Sequence, residues 1–458
     1  MERQAKMCQH KESEVQELSR RVVFTIVCIG LLWIPVWAWA EQKPLALTFE
    51  SSVTLALAKS PLVRMAEQQV VKAEGSVTTA RAGKGPQLEA SATHTRMGPI
   101  ATFTIPFGTQ LETIQLGTPK ATLGKISLVQ PLDIWGVINA AESAAELNLL
   151  SQRFALEAAR QKIAQGVQSG FLGALRSQAL QRVVDEGLQA ADEHVRIARA
   201  HFEAGTAPHF DVLRAEVQAA NFRQNLVIAT NAVRLATAAL NKIIGLDVST
   251  PLAFKEPPAA EPAVPVLEPA LEEAARQRPE ILQSLVIEKA AAKGVYLARA
   301  GLKPTFAILA DLNVNLNAIA LGAQSRTWDV SAALSLPLFD SGATRGKVKS
   351  ARADLQSAKL ATEDTKRQVE LEVTQACIGM QDAAERMSTA RKDVEQAREA
   401  LRLANVRYQA GVATAVEVTD AEVALTQSRT NEVNATYDYM QARAQFDRAL
   451  GRPVAEAK

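Results

Sequence analysis

The chain is poor in three features that organise many proteins of its size. Three cysteines, 5% aromatic residues and a formal charge of +2 over 458 residues leave little for disulfides, aromatic cores or a strong field of one sign. With 51 basic against 49 acidic side chains and a pI near 8.3, there is no basic surface built for nucleic acid, where a domain pI above about 9 is expected. Disorder is excluded too, because 47% of the residues are apolar. Much of that content is about 80 alanines, small side chains that let helices approach closely rather than fill a globular core. Length alone suggests roughly three domains.

Long apolar runs are confined to the start. Val22 to Ala40 is uncharged, follows Arg20 and Arg21, and ends in Ala38-Trp39-Ala40, which predicts a signal peptide over 1–40 with an A-x-A cleavage site. The alternative is an uncleaved inner-membrane anchor, since about 19 apolar residues just span a bilayer. Val27 before Cys28 argues against a lipid-modified cysteine. Cleavage leaves 418 residues, 46 basic against 45 acidic side chains, and Cys377 alone, so no intrachain disulfide can form. No later segment has 18 uninterrupted apolar residues, and none is expected to cross a membrane as a helix.

What remains is written twice. Ser60-Pro61 recurs as Arg278-Pro279, and Ala80-Arg81-Ala82-Gly83 as Ala298-Arg299-Ala300-Gly301, at an offset of 218. Farther along, Gly136 recurs as Gly342, Ala204-Gly205 as Ala410-Gly411, Ala215-Glu216 as Ala421-Glu422 and Gly245 as Gly451, at 206. The change of 12 falls between Pro86 and Pro131, where the first copy carries a longer loop. The expected organisation is a first repeat over 41–255 (helix, β-hairpin 87–132, long helix 136–203, helix 208–244) and a proline-rich linker over 256–265. A second repeat over 266–452 follows (helix, β-hairpin 305–338, long helix 341–409, helix 414–450), then a tail over 453–458.

Proline is absent between Pro131 and Pro208 and between Pro337 and Pro453. Since an interior proline costs a helix ~3 kcal/mol, these tracts are free to be continuous helix. Ala376, Met380, Ala383, Met387, Ala390 and Val394 alternate at spacings of four and three, a heptad seam; Val418, Ala421 and Leu425 begin another after Gly411. The first copy repeats this before and after Gly205, with Ala191, Val195 and Ala198, then Val212, Ala215 and Ala219. Each copy therefore holds two antiparallel helices joined at a glycine turn, the longer of them roughly 100 Å. Each also opens with a shorter helical stretch, Glu50 to Ala82 and Leu267 to Ala300.

Between short and long helices the period drops to two. Trp328, Val330, Ala332, Leu334, Leu336 and Leu338 oppose Asp329, Ser331 and Ser335, and Phe306, Ile308, Ala310, Leu312 and Val314 oppose Asp311 and Asn313. Leu88, Ala90 and Ala92 oppose Glu89, Ser91 and Thr93, with Thr122 to Leu132 in the same frame. Segments of about 10 residues with one apolar side match transmembrane barrel strands. Four strands cannot close a barrel, the smallest having eight, so copies of the chain must pool strands; two or three copies both satisfy the arithmetic.

This duplicated order, with the tip motifs His201-Phe202-Glu203-Ala204-Gly205 and Arg407-Tyr408-Gln409-Ala410-Gly411, resembles the TolC-like outer-membrane efflux protein family from about Leu47 to Gly451. The resemblance implies a mixed, mainly α fold, with long antiparallel coiled-coil helices forming a periplasmic tunnel. Four transmembrane β-strands per chain would join a shared 12-stranded barrel in a homotrimer. It also implies docking on a periplasmic adaptor and an inner-membrane pump through tips at Phe202, Ala204, Gly205, Arg407, Ala410 and Gly411. Asp211, Glu417 and Asp420 match positions where the family places charged constriction residues, and Tyr408 matches a gate tyrosine. Ala413 departs from members that have a basic residue there.

Glu417 and Asp420, three apart on a helix, share a face; three carboxylates per chain would make a ring of nine in a trimer that favours cations, or else they complement a helix dipole. No H-E-x-x-H, G-x-S-x-G or phosphate-loop motif occurs, and no catalytic residue, metal or cofactor is expected. His194, His201 and His209 cluster near the first tip as surface or pore-lining side chains, and Cys377 reads as a small packing residue. The expected function is a passive outer-membrane duct of a tripartite efflux or type I secretion system, in contact with outer-membrane lipid. The alternative is a periplasmic coiled-coil adaptor or scaffold without a barrel.

Overall fold

The computed structural model describes residues 45–115, 119–256, 262–316 and 325–452. The expected signal peptide over 1–40, the tail over 453–458 and residues 257–261 of the expected linker lie outside the described residues. The chain divides into Met1–Leu45 and Ala46–Lys458, and the elements that follow belong to the second unit. In its first half these are α1 (Phe49–Lys59), α2 (Pro61–Ala82), β1 (Gln87–Arg96), β2 (Thr102–Phe107), β3 (Gln110–Gln115), β4 (Lys120–Leu132), α3 (Val137–Glu203) and α4 (His209–Ile244). In the second they are α5 (Leu267–Gln277), α6 (Pro279–Arg299), β5 (Thr305–Asn315), β6 (Arg326–Ser335), α7 (Ala343–Gln409) and α8 (Ala415–Ala449).

Each opening helical stretch is broken rather than continuous. Ser60 and Arg278 sit in extended conformations with ψ of 123° and 119°, and Pro61 and Pro279 restart the helix. The cause is steric: a proline cannot continue the preceding hydrogen-bond ladder, and it drives the residue before it out of the helical region.

The two long helices have 67 residues each, about 100 Å at 1.5 Å per residue. Both begin after a glycine in the left-handed region, Gly136 and Gly342. Aspartates satisfy the first free N–H groups: Asp133 accepts from the amides of Ile138 (3.0 Å) and Asn139 (2.8 Å), and Asp340 from those of Gly342 (3.0 Å) and Thr344 (2.7 Å). α4 packs along α3 and α8 along α7, while α3 also touches α6 and α8 and so ties the halves together. The alanine seams are the contact surfaces. Near the first tip the core is Ala191, Val195, Ala198, Val212, Ala215, Ala219 and Phe222. In the second half Met380, Ala383, Met387 and Ala390 meet Ala435 and Tyr439.

Cys377 lies in that second core, its thiol 3.7 Å from the Pro265 carbonyl, and burial pushes it above the ordinary thiol range. The linker's end is strapped down at the same place. Gln381 donates to the Pro265 carbonyl (3.2 Å), and the Tyr439 hydroxyl accepts from the Ala263 amide (2.9 Å).

Strands from both halves form one antiparallel sheet in the order β1-β4-β5-β6. Its register sorts the side chains. Ala90, Ile126, Leu312 and Trp328 fall in one cross-strand row, and Glu89, Ser127, Asp311 and Asp329 in the next, on the opposite face. On the polar face Asp311 takes a hydrogen bond from Ser127 (2.6 Å) and pairs with Lys125 (3.0 Å). The apolar face is uncovered: Leu88, Trp328, Val330 and Leu334 are all exposed.

Two expectations about the strands change. The longer loop of the first copy is itself a hairpin, β2 paired with β3, so the 87–132 segment carries four strands rather than two. The last strand ends at Ser335, short of Leu338, because Pro337 has no N–H to donate to the ladder. α4 is long and apolar enough by mean hydropathy to cross a membrane, although Arg214, Glu216, Arg223 and Arg234 interrupt it. It instead lies along α3 and leaves Phe210, Leu213, Val217, Val227, Ile228 and Leu235 exposed.

Candidate gate and docking tips

Both helical hairpins turn at a glycine that needs a left-handed backbone. Gly205 has φ 74° and Gly411 φ 73°, conformations that L-residues with a Cβ adopt at a cost of about 1–2 kcal/mol. The turns close identically: Thr206 N donates to His201 O (2.9 Å), and Val412 N to Arg407 O (3.0 Å). Ala204 and Ala410 cap the long helices as the residues just before these glycines.

Beyond the backbone the tips differ. The first is aromatic. Phe202 lies 5.0 Å from the His209 ring and is exposed, and His201 Nδ1 is 3.0 Å from the Thr206 hydroxyl. The second is charged: Arg407 pairs with Glu417 at 3.2 Å across the turn. Glu417 is also the far half of a capping box. Its carboxylate accepts from the Thr414 amide (3.3 Å), while the Thr414 hydroxyl accepts from the Glu417 amide (3.4 Å). This is the helix-start role weighed against a free pore carboxylate; Glu417 and Asp420 are both exposed, and Glu417 is the one engaged in the cap. Ala413 brings no charge to the turn, and the basic partner of Glu417 is Arg407 from the helix before it.

Tyr408 joins the two hairpins. Its ring centroid is 5.9 Å from that of His194 and 5.4 Å from that of His201, both on α3. Burial and then the charge of Asp211 push the Tyr408 hydroxyl up; burial pulls His194 down, with Asp211 opposing. Of the four expected gate residues, Asp211 and Tyr408 thus share one neighbourhood with His194, and Glu417 belongs to another with Arg407. His194 is buried, and its role as a seat for Tyr408 was not expected. Its position three and four residues from the seam residues Ala191 and Ala198 was the available signal.

A model of the outer membrane efflux protein family matches residues 53–246 and 270–452, the two halves of the chain. The chain belongs to the outer membrane efflux protein family. Among curated relatives, nodulation protein T of Rhizobium leguminosarum bv. trifolii is 24% identical over 93% of this chain and 90% of its own length. The pyoverdine export outer membrane protein OpmQ of Pseudomonas aeruginosa is 25% identical over 71% of this chain and 69% of its own. The crystal structure of the outer membrane protein VceC from Vibrio cholerae superposes with a TM-score of 0.73 at 23% identity, covering 88% of this chain and 96% of that one. As a member of this efflux family the protein is a channel of the outer membrane, with its helical part in the periplasm, and the reading as an adaptor without a barrel is set aside.

Proposed function

We propose that three copies of the chain close a 12-stranded barrel and act as a passive duct, which carries cargo from a periplasmic adaptor and an inner-membrane pump to the exterior. The observation that carries this reading is the four-stranded sheet, whose outer edges on β1 and β6 are unpaired among the described residues and whose apolar face is uncovered. An open edge and a bare apolar face are each unstable in water. Lipid would cover the face, and β1 and β6 of neighbouring copies would pair the edges. The exposed stripe on α4 supports the same assembly, because a neighbouring copy would bury it. Nothing in the chain carries a nucleotide-binding motif, so the driving energy comes from the pump.

The tips would dock on the adaptor through Phe202, Ala204 and Gly205 on one hairpin and Arg407, Ala410 and Gly411 on the other. Asp211, Tyr408, Glu417 and Asp420 would set the periplasmic aperture and its charge. Single cysteines along β1 and β6 are expected to crosslink intact cells' protein into trimers; a ladder that stops at dimers would overturn the subunit count. Photo-crosslinkers beside Gly205 and Gly411 are expected to capture a periplasmic adaptor. Recovery of no periplasmic protein would sink the docking assignment.

A further inference from the structure

The two repeats place a glutamate at the same point and treat it in opposite ways. Glu216 and Glu422 correspond at the offset of 206, each following an alanine a little above its tip. Glu216 lies at the edge of its seam and pairs with Arg199 at 2.5 Å. Glu422 lies inside its seam, on the buried stripe Ala415, Val418, Glu422 and Leu425, and is only 8% exposed. Its Oε2 atom has no hydrogen-bond partner. The residue corresponding to Arg199 is Asn405, which brings no charge.

α8 packs against α7 and α3, and two ion pairs set the levels of these helices. Arg429 of α8 meets Glu186 of α3 at 2.5 Å, and Arg386 of α7 meets Asp438 of α8 at 3.2 Å. In antiparallel helices these pairs put Glu422 level with Glu193 and His194 on α3 and with Arg402 on α7. Glu193 is held by Arg196 (2.6 Å) and Arg402 by Glu399 (2.7 Å), both pairs exposed; His194 is buried and held below its ordinary range. On α8 itself Glu417 is committed to Arg407, Arg429 to Glu186, and Asp420 is exposed. None of these charges moves Glu422: burial alone lifts its carboxyl from 4.5 to about 7.

We infer that Glu422 is a proton-controlled latch in the second hairpin: as the neutral acid it lets the α7–α8 seam close, and as the carboxylate it loosens that seam and favours an open periplasmic end. The inference rests on the gate reading above and adds its regulation. The sign follows from linkage. A carboxyl lifted in the folded state gives its full stability below 4.5 and loses it as pH rises to about 7. His194, held by burial below the ordinary imidazole value, works the other way and loses stability as pH falls below 6.5. Glu422 therefore acts between about 4.5 and 7, with a sign opposite to that of His194.

The test is hydrogen exchange over residues 395–430 of the purified full-length channel, corrected for intrinsic rates, from about pH 5.5 to 8.5, beside conductance in planar bilayers. Protection in the wild type is expected to fall about tenfold as pH rises from 5.5 to about 7 and to level off above it, while residues 190–222 of the first hairpin show no such loss. Glu422→Gln should hold the protected level throughout. Asn405→Arg should make the fall level off at a lower pH by supplying the partner that Glu216 has. A step that persists unchanged in Glu422→Gln, or a flat wild-type profile, overturns the latch. A conducting channel without the step rejects the latch and keeps the duct. A protein with the step that never conducts rejects the duct and keeps Glu422 as a proton-sensitive packing residue.

Discussion

The two helical hairpins share a backbone and differ in how they are finished. Both long helices have 67 residues, and both tips turn on a left-handed glycine, yet the first tip carries histidine and phenylalanine rings and the second an arginine–glutamate pair. Duplication has kept what the backbone requires and released what it does not. The first hairpin keeps its glutamate paired at the edge of the seam, whereas the second buries the corresponding carboxyl without a partner. One hairpin reads as a fixed wall and the other as the adjustable element.

Removing the contact that joins them should have the largest effect. His194→Ala deletes a buried ring that seats Tyr408 and is expected to cost about 2–3 kcal/mol in denaturant unfolding of the solubilised channel. It should also uncouple the tips, so that spin labels on Thr206 and Val412 broaden in separation; an unchanged distance distribution would remove His194 from the bridge. Glu417→Ala comes next. Loss of the capping box and the Arg407 pair should cost about 1–2 kcal/mol and fray the start of α8, visible as faster exchange over 414–420. Arg199→Ala in the first hairpin breaks a shorter but equally exposed ion pair and should cost less than about 1 kcal/mol, because water replaces the partner and no capping box is lost with it. If Arg199→Ala proves as damaging as Glu417→Ala, the contrast between wall and adjustable element fails. Asp420→Ala should leave stability within about 0.5 kcal/mol and still weaken cation selectivity and divalent block in single-channel recordings.

Most of the architecture was legible because it rests on strong local signals. Proline-free tracts with four-three alanine spacing gave the long helices, and alternation around Asp311 and Asp329 gave the sheet faces. The expected seam of α8 differs at one position: Val418 and Leu425 are buried as expected, but Glu422 takes the inward place and Ala421 is only half-buried, a choice that three-dimensional packing makes. The capping role of Glu417 was readable in Thr414-Ala415-Val416-Glu417, which matches the S/T-x-x-E pattern. The β2–β3 hairpin carried a weaker mark, Gly108-Thr109 between alternating segments, and a change in repeat offset reports an insertion without its shape. Links such as Tyr408 with His194 depend on how two distant helices lie together, which periodicity along one helix does not encode.

The equal length of α3 and α7 makes the chain a gauge as well as a wall. Each residue advances a tip by 1.5 Å, so removing a heptad from one helix alone would offset the two tips by about 10 Å and part Tyr408 from its histidines. Removing matched heptads from α3 and α7, with the same from α4 and α8, would keep every seam in phase and simply shorten the span. The distance between the outer membrane and whatever meets the tips is thus written as a residue count, adjustable only in paired steps of seven.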